Sequence, residues 1–184
     1  MSVRLGALQR GHRHRLREIL DATSVFRESE IDVALELFDE VFAAGPARAP
    51  YDPGDGVASY EFVGSFSRDD QLVGYVCYGA TPGTDRTYDL YWIAVHPQFQ
   101  GEGGGSRLLG EVERRLRERE ARMLVVETSS RDEYSETRRF YEARGYTQAA
   151  RITDFYAPGD DRVIYTKPFP APQPSPTERG VIAK

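Results

Sequence analysis

The stretch IAVHPQFQGEGGGSRLL (93–109) passes from an apolar run through four glycines within five positions, then into a leucine-bearing segment of helical spacing. Glycine weakens a regular element by roughly 0.5–1 kcal/mol relative to alanine, so a cluster of them between a strand and a helix has to serve the connection itself. A chain that turns through bare backbone into a helix leaves several N–H groups uncovered, with the positive end of the helix dipole behind them. Such a place suits an anion, most often a phosphate; the plain alternative is a flexible connector. Either reading demands a strand–loop–helix unit, and Leu109, Val112 and Leu116 give the helix one apolar face to lay on a sheet.

Two phosphate-binding patterns do not fit. The P-loop needs Gly-Lys followed by Ser or Thr, whereas Gly105 is followed by Ser106 and Arg107, so no lysine reaches a terminal phosphate. The dinucleotide pattern accepts Gly101 and Gly103, but its third glycine falls on Ser106, and the preceding runs read as hairpins rather than a parallel βαβ unit.

Elsewhere, VRLGAL (3–8) alternates like a short strand. HRLREIL and SEIDVALELFDEVF have helical spacing, the second through Ile31, Ala34, Leu35, Leu37, Phe38 and Phe42. AAGPARAPYDPGDG (43–56) is a breaker-rich loop. VASYEFVGSFS and LVGYVCYGA form a hairpin across RDDQ, and TYDLYWIAV (87–95) is a third strand. A helix follows from Ser106, then a strand at RMLVVETSS (122–130) buried through Met123 and Val125. SRDE (130–133) fits a capping box opening a helix through Ala143, which Gly145 ends in a left-handed conformation. YTQAARITDFY and DRVIYTKPF make a terminal hairpin closed by APGD, and its loop region, residues 152–163, is expected to overhang the strand of Tyr91 and Trp92. The predicted class is α+β: one domain, residues 1–168, on a central mixed and mostly antiparallel sheet flanked by helices, with an N-terminal helix pair and a C-terminal hairpin. Residues 169–184, with four prolines, read as a flexible tail.

Composition excludes several classes. A net charge of -5 argues against nucleic acid as partner. No run approaches the roughly 20 apolar residues of a membrane span, and the polar N-terminus lacks a secretory core, so no membrane partner and a cytoplasmic location are expected. Cys77 is the single cysteine and the histidines stand at 12, 14 and 96, too few and too scattered for a metal site; none is predicted. Cys77, among apolar neighbours, reads as a buried inert thiol, and His96, before Pro97, as structural.

Gln100, Gly101, Glu102, Gly103, Gly104 and Gly105 resemble the Gln/Arg-x-x-Gly-x-Gly/Ala motif of the GNAT family of N-acetyltransferases, with IAVHPQF as its lead-in. Some forty residues on, RRFYEARGY (138–146) is similar to that family's second signature, a tyrosine ahead of a Gly-aromatic pair. The likeness spans about residues 58–168. It implies a GNAT-like fold and acetyl-coenzyme A as cosubstrate. The cofactor's pyrophosphate would sit on the amides of Gly101 to Ser106 and its pantetheine arm along Ile93, Ala94 and Val95. Two residues depart from the pattern: Glu102 adds a negative charge and Gly104 replaces an aliphatic. A third, Tyr134, stands where the family often has asparagine.

For acetyl transfer the resemblance makes Tyr141 the proton donor to the departing thiolate, a phenol of pKa about 10 being only slightly weaker than a thiol of about 8.5. Its alternative is an aromatic filling the helix's inner face. Glu127 ends the apolar run LVVET, where partial desolvation would suit a base, and matches a glutamate of the ribosomal-protein N-terminal acetyltransferases; a strand-end charge in water is the other reading. Asp89 is a second candidate base, with a cap or an amine anchor as rivals, and a backbone N–H near Val95 would meet the oxyanion. Asp154, Asp160 and Asp161 read as turn residues. The implied acceptor is a primary amine of a small molecule or peptide N-terminus attacking directly in a ternary complex; the reading also allows a homodimer. A non-catalytic acyl-coenzyme A sensor or interaction module, keeping the cradle without the chemistry, is the alternative, and a nucleotide-binding enzyme a third.

Overall fold

The computed structural model describes residues 3–43 and 60–170. All nine residues of LVGYVCYGA are buried, so this strand is covered on both faces. Around it run β1 (Arg4–Gly6), α1 (Arg13–Thr23), α2 (Glu28–Ala43), β2 (Tyr60–Phe66), β3 (Leu72–Ala80), β4 (Thr87–Val95), α3 (Gly104–Glu118), β5 (Met123–Ser129), α4 (Ser135–Glu142), β6 (Thr147–Ala157) and β7 (Asp160–Pro168). The strands form one sheet in the order β1-β2-β3-β4-β5-β7-β6. Every pairing is antiparallel except β4 with β5. The result is the α+β single-sheet fold expected from the sequence.

The two-residue alternation of β3 divides the core. Tyr75 and Cys77 pack with Leu16, Ile19 and Leu20 of α1 and Ile31, Leu35 and Phe38 of α2. Val76 and Tyr78 pack on the opposite face with Leu108, Leu109, Val112 and Leu116 of α3. Truncating one of these sealed leucines to alanine typically costs about 2–5 kcal/mol, so each helical layer is held firmly enough to serve as a wall.

Several local expectations need correction. On β5 the buried face is Leu124, Val126 and Thr128, while Met123 and Val125 are only half-buried. Over its first four residues both faces of this strand are apolar, and the choice between them falls to the layer packed on it. The helix expected from Ser106 already begins at Gly104, because Gly103, at φ +80°, completes the turn one residue before it. The capping box at 130–133 does not form: the Ser130 hydroxyl accepts the Asp161 N–H at 2.8 Å. The chain instead makes a 3-10 turn over Asp132–Tyr134 before α4. A tertiary partner has taken the hydroxyl from its local use. Gly145 behaves as expected, with φ +78° and the Tyr146 N–H returning to Tyr141 O at 3.2 Å.

Phe169, placed in the tail from the sequence, is 7% exposed. Its N–H donates to Arg122 O at 2.8 Å and Arg117 lies over its ring. An aromatic ring that can close the open end of a core docks there whatever prolines follow it. The rest of the expected tail from 171 onward, and the loop of 43–56 beyond Ala43, lie outside the described residues. Between Ile152 and Ala157, β6 carries four residues against one on β7, so Thr153–Tyr156 bulge away from the sheet. Two contacts hold the bulge: Asp161 accepts the Asp154 N–H at 2.9 Å, and Asp154 accepts the Gly159 N–H at 2.7 Å.

Candidate active site at a split in the sheet

The parallel strands β4 and β5 pair only from Thr87–Leu90 with Met123–Val126. Tyr91 is the extra residue of a bulge, since Cys77 faces Trp92 while Tyr78 faces Leu90. A bulge bends its strand and increases its twist, and β4 accordingly leaves β5 at this point. The His96 N–H donates to Val73 O at 2.8 Å, which makes Tyr75–Ala94 the next hydrogen-bonded pair of the ladder. The peptide groups of Ile93 and Val95 therefore turn the other way, to an edge that β5 has vacated. Of the three residues proposed for the pantetheine arm, Ile93 and Val95 present hydrogen-bonding groups there, and Ala94 spends its own on β3.

From that edge the chain enters the glycine loop. Gly101 and Gly103 have φ of +77° and +80°, values that side chains resist. Gly103 caps α3 with no side chain, so the first N–H groups of the helix have no capping partner. They border a cavity of about 570 Å³ lined by Ile93, Val95, Gln100, Gly101, Gly103–Ser106, by Glu136, Thr137, Arg139 and Phe140 of α4, and by Arg144 just beyond it. Glu102 does not line it, and one of its carboxylate oxygens is sealed from solvent, so the negative charge that departs from the family pattern faces elsewhere. Gln100 ties the loop to the strand, its Nε2 donating to Val95 O at 2.9 Å. Sequence reasoning missed the two arginines. Arg144 holds Ser106 Oγ, donates to Phe140 O at 2.7 Å and lies 3.7 Å from the centroid of the Phe140 ring. Nothing local to RRFYEARGY marks it as a partner of a loop almost forty residues earlier.

On the other side of the split lies a second cavity of about 630 Å³. Asp89 and Glu127 both line it. The expected desolvation falls on Asp89 rather than Glu127. Burial raises the Asp89 carboxyl above its ordinary value, opposed by the Thr81 hydroxyl donating to it at 2.7 Å, while the Glu127 charge adds to the rise. Glu127 stands at the rim with 38% of its side chain exposed, ion-paired to Arg162. Trp92, Tyr91, Phe26, Val33, Tyr134 and Tyr156 supply the apolar wall. Tyr134 thus stands in this cleft and not at the cradle, its hydroxyl donating to Val25 O at 3.2 Å and pushed up to about 12 by burial.

Asp160 does more than turn the chain. It is 4% exposed, accepts from Ser129 Oγ and Arg27 (3.0 Å), and lies 3.5 Å from Arg131. It thereby ties the α1–α2 turn to the C-terminal hairpin across the cleft. Two sealed polar atoms of cleft residues, Thr128 Oγ1 and Arg162 Nε, have no hydrogen-bond partner among the described residues.

Tyr141 lines neither cavity. Its ring is 2% exposed, packed edge-on against Phe140 and Tyr146, and burial raises its hydroxyl above the usual phenol range. Its neighbours Thr137, Phe140 and Arg144 border the cradle. Cys77 is buried, with its thiol raised well above normal by that burial, which suits packing and not nucleophilic chemistry. His96 Nδ1 accepts the Gln98 N–H at 3.3 Å, a structural role. Among the described residues no three His, Cys, Asp or Glu side chains gather to hold a metal, and no helix is long and apolar enough to cross a membrane.

Comparison with known proteins agrees with this geometry. The sequence matches the Acetyltransferase (GNAT) family over residues 22–146. A GNAT-family protein from Desulfovibrio desulfuricans is 40% identical, with a TM-score of 0.77 over 91% of this chain and 98% of its own. The fold is shared with the ribosomal-protein-S18-alanine N-acetyltransferase from Escherichia coli (17% identity, TM-score 0.68, 95% and 98% covered). It is shared too with PaiA N-acetyltransferase from Thermoplasma acidophilum, solved with coenzyme A (16%, TM-score 0.67, 92% and 100%). No curated protein matches. With its sheet split beside a glycine-capped helix and its sequence matched over more than half its length, the chain belongs to the GNAT family of acetyltransferases.

Proposed function

We propose that the protein transfers the acetyl group of acetyl-coenzyme A to a primary amine by direct attack in a ternary complex. The observation that carries this reading is the vacated edge of β4, which runs from the glycine loop to the cleft holding Asp89 and Glu127. The residues present fit the coenzyme. The uncapped N–H groups of Gly104 to Ser106 suit a diphosphate, with Arg144 adding positive charge while that of Arg139 is offset by its ion pair with Glu136. Ile93 and Val95 would pair with the amide-bearing arm as a strand would. Bound there, acetyl-coenzyme A supplies an activated acyl group.

This chain's residues would do the rest. The half-buried Asp89 takes the proton of the attacking ammonium, directly or through one water, since desolvation makes its carboxylate a stronger base than one in solvent. Glu127, held by Arg162, adds negative charge that attracts the ammonium. The Val95 N–H, turned to the vacated edge of β4, would meet the charge that builds on the carbonyl oxygen. As nitrogen bonds to the acyl carbon and the carbon–sulfur bond breaks, the Tyr141 hydroxyl would give its proton to sulfur, and the second proton shed by the nitrogen would return through solvent to the phenolate. The test mixes purified protein with acetyl-coenzyme A and a panel of amines and follows free thiol. Turnover with at least one amine is expected.

The burial of Tyr141 favours a second reading, a coenzyme-binding module without chemistry. Calorimetric binding of coenzyme A with no thiol release from peptides, polyamines, aminoglycosides or amino acids would establish it in place of the first.

A further inference from the structure

The acceptor cleft of an acidic protein, net charge -5, would be expected to be acidic and to draw polycations. Its wall instead carries three guanidinium groups, Arg27, Arg131 and Arg162, among four carboxylates, Glu30, Asp89, Glu127 and Asp160. Asp160 is already committed, being 4% exposed between Arg27, Arg131 and Ser129. Glu30 is in use as well, accepting the Arg27 backbone N–H at 2.7 Å. Asp89 and the Glu127–Arg162 pair are what the cleft has left to offer an acceptor.

Arg162 is the group with capacity to spare. Among the described residues its guanidinium gives one nitrogen, Nη2, to Glu127. Its Nε is shut from solvent without an acceptor. The guanidinium lies 4.8 Å from the centroid of the Phe155 ring, which holds it in place on the bulged segment of β6. Sealed in this way, Nε cannot meet a molecule entering the cleft; the nitrogen left for one is Nη1, and a guanidinium N–H matches a carboxylate in both charge and hydrogen bonding. On β5 and β7, Ser129 stands opposite Arg162, and Glu127 lies two residues before Ser129 on the same face. A positive and a negative receptor thus adjoin at the cleft rim, the complement of a molecule whose ammonium and carboxylate adjoin. Val33 and Tyr156, exposed by 46% and 40%, frame the mouth with apolar surface.

Resting on the N-acetyltransfer reading above, we propose that the acceptor is a zwitterionic amine with an apolar side chain, an amino acid or short peptide whose free carboxylate is held by Arg162. Its ammonium lies toward Asp89 and Glu127 and its side chain against Val33, Tyr156 and Trp92. A polycation gains nothing from the arginines and meets repulsion from them.

The experiment measures kcat/KM by thiol release with the full chain and acetyl-coenzyme A. The substrates are leucine against leucinamide, leucylglycine against its amide, and spermidine as an amine without a carboxylate. A free acid is expected to exceed its amide by about 10- to 100-fold, the range of one charge-assisted contact. Whichever acid is faster tells amino acid from peptide. Arg162→Gln should bring the acid-to-amide ratio close to one, and Arg162→Lys should restore part of it, a readout that general loosening of the cleft would not move. Amides matching their acids, spermidine as the best acceptor, or a ratio indifferent to Arg162→Gln would overturn the proposal while leaving acetyl transfer intact. Thiol release from no amine, with coenzyme A still protecting the fold against heat, would overturn acetyl transfer itself.

Discussion

The two cavities share one split in the sheet and are made of different material. The cradle is largely main chain: the edge of β4 and the first turn of α3, from a single stretch of about a dozen residues, with α4 laid beside it. The second cavity, the one proposed for the acceptor, is side chains, contributed by the α1–α2 turn, the start of α2, β4, β5, the turn before α4 and the β6–β7 hairpin. Peptide N–H groups at a helix start recognise any diphosphate alike, so a backbone cradle can stay the same while acceptors change. A ring of arginines, carboxylates and aromatics can be rebuilt one residue at a time. The difference is how one fold serves one cosubstrate and many amines.

The largest expected effect breaks the chemical side alone. Asp89→Asn should lower kcat by about 100- to 1,000-fold, in the range of a lost general base, with coenzyme A affinity unchanged by calorimetry. In the wild type, kcat/KM should climb as pH rises through the raised Asp89 value, because the deprotonated form is the base, and this limb should vanish in the variant. The sign for stability is opposite. A carboxyl raised in the folded state is a charge the fold disfavours above that value, so Asp89→Asn should leave Tm unchanged or raise it by about a degree or two.

Tyr141→Phe comes next. A fall in kcat of about 10- to 100-fold, with coenzyme binding retained, is expected of a lost proton donor. An unchanged kcat would reduce Tyr141 to core packing and the cradle side to binding alone. Gly103→Val attacks the cradle itself, forcing a β-branched residue to φ +80°. Coenzyme A affinity should drop by about 10-fold or more, together with roughly 1–3 kcal/mol of stability in urea unfolding.

Asp160→Asn probes what joins the cleft's walls. Arg27 and Arg131 are partly exposed and can find water, so about 1–2 kcal/mol of stability should be lost, less than for a fully sealed pair. Acceptor KM should rise while coenzyme affinity stays constant. The smallest effect belongs to Glu102→Gln. Because Glu102 does not line the cradle cavity, coenzyme A affinity should change less than about twofold at moderate salt. A marked gain in affinity would mean that its charge reaches the phosphates after all.

The cradle could be read in the sequence because its parts are neighbours in the chain. Gly101 and Gly103 are visible as glycines, and the φ values they adopt are ones few other residues accept. Arg144, Arg162 and Asp160 could not be read that way. Arg162 belongs to the site because antiparallel pairing sets it across from Ser129, and Asp160 because a bulged hairpin folds it under Arg27. Glu127 shows the limit of local reasoning. Its apolar flanks promised burial, yet its side of β5 faces the cleft, and the more desolvated carboxylate is the half-buried Asp89 one strand away. The same misjudged face explains why Val125 and not Leu124 borders the cleft.

Alternation, helical spacing and glycine clusters act within a few residues, so the order of strands and helices and the glycine turn ahead of α3 were already present in the chain. Which face of β5 is dry, which arginine meets which carboxylate, and how Tyr141 comes to be enclosed follow from contacts between segments 30 to 130 residues apart. Those contacts exist once the sheet has closed and split, because a charge is buried or exposed by whatever packs on it and not by its neighbours in sequence.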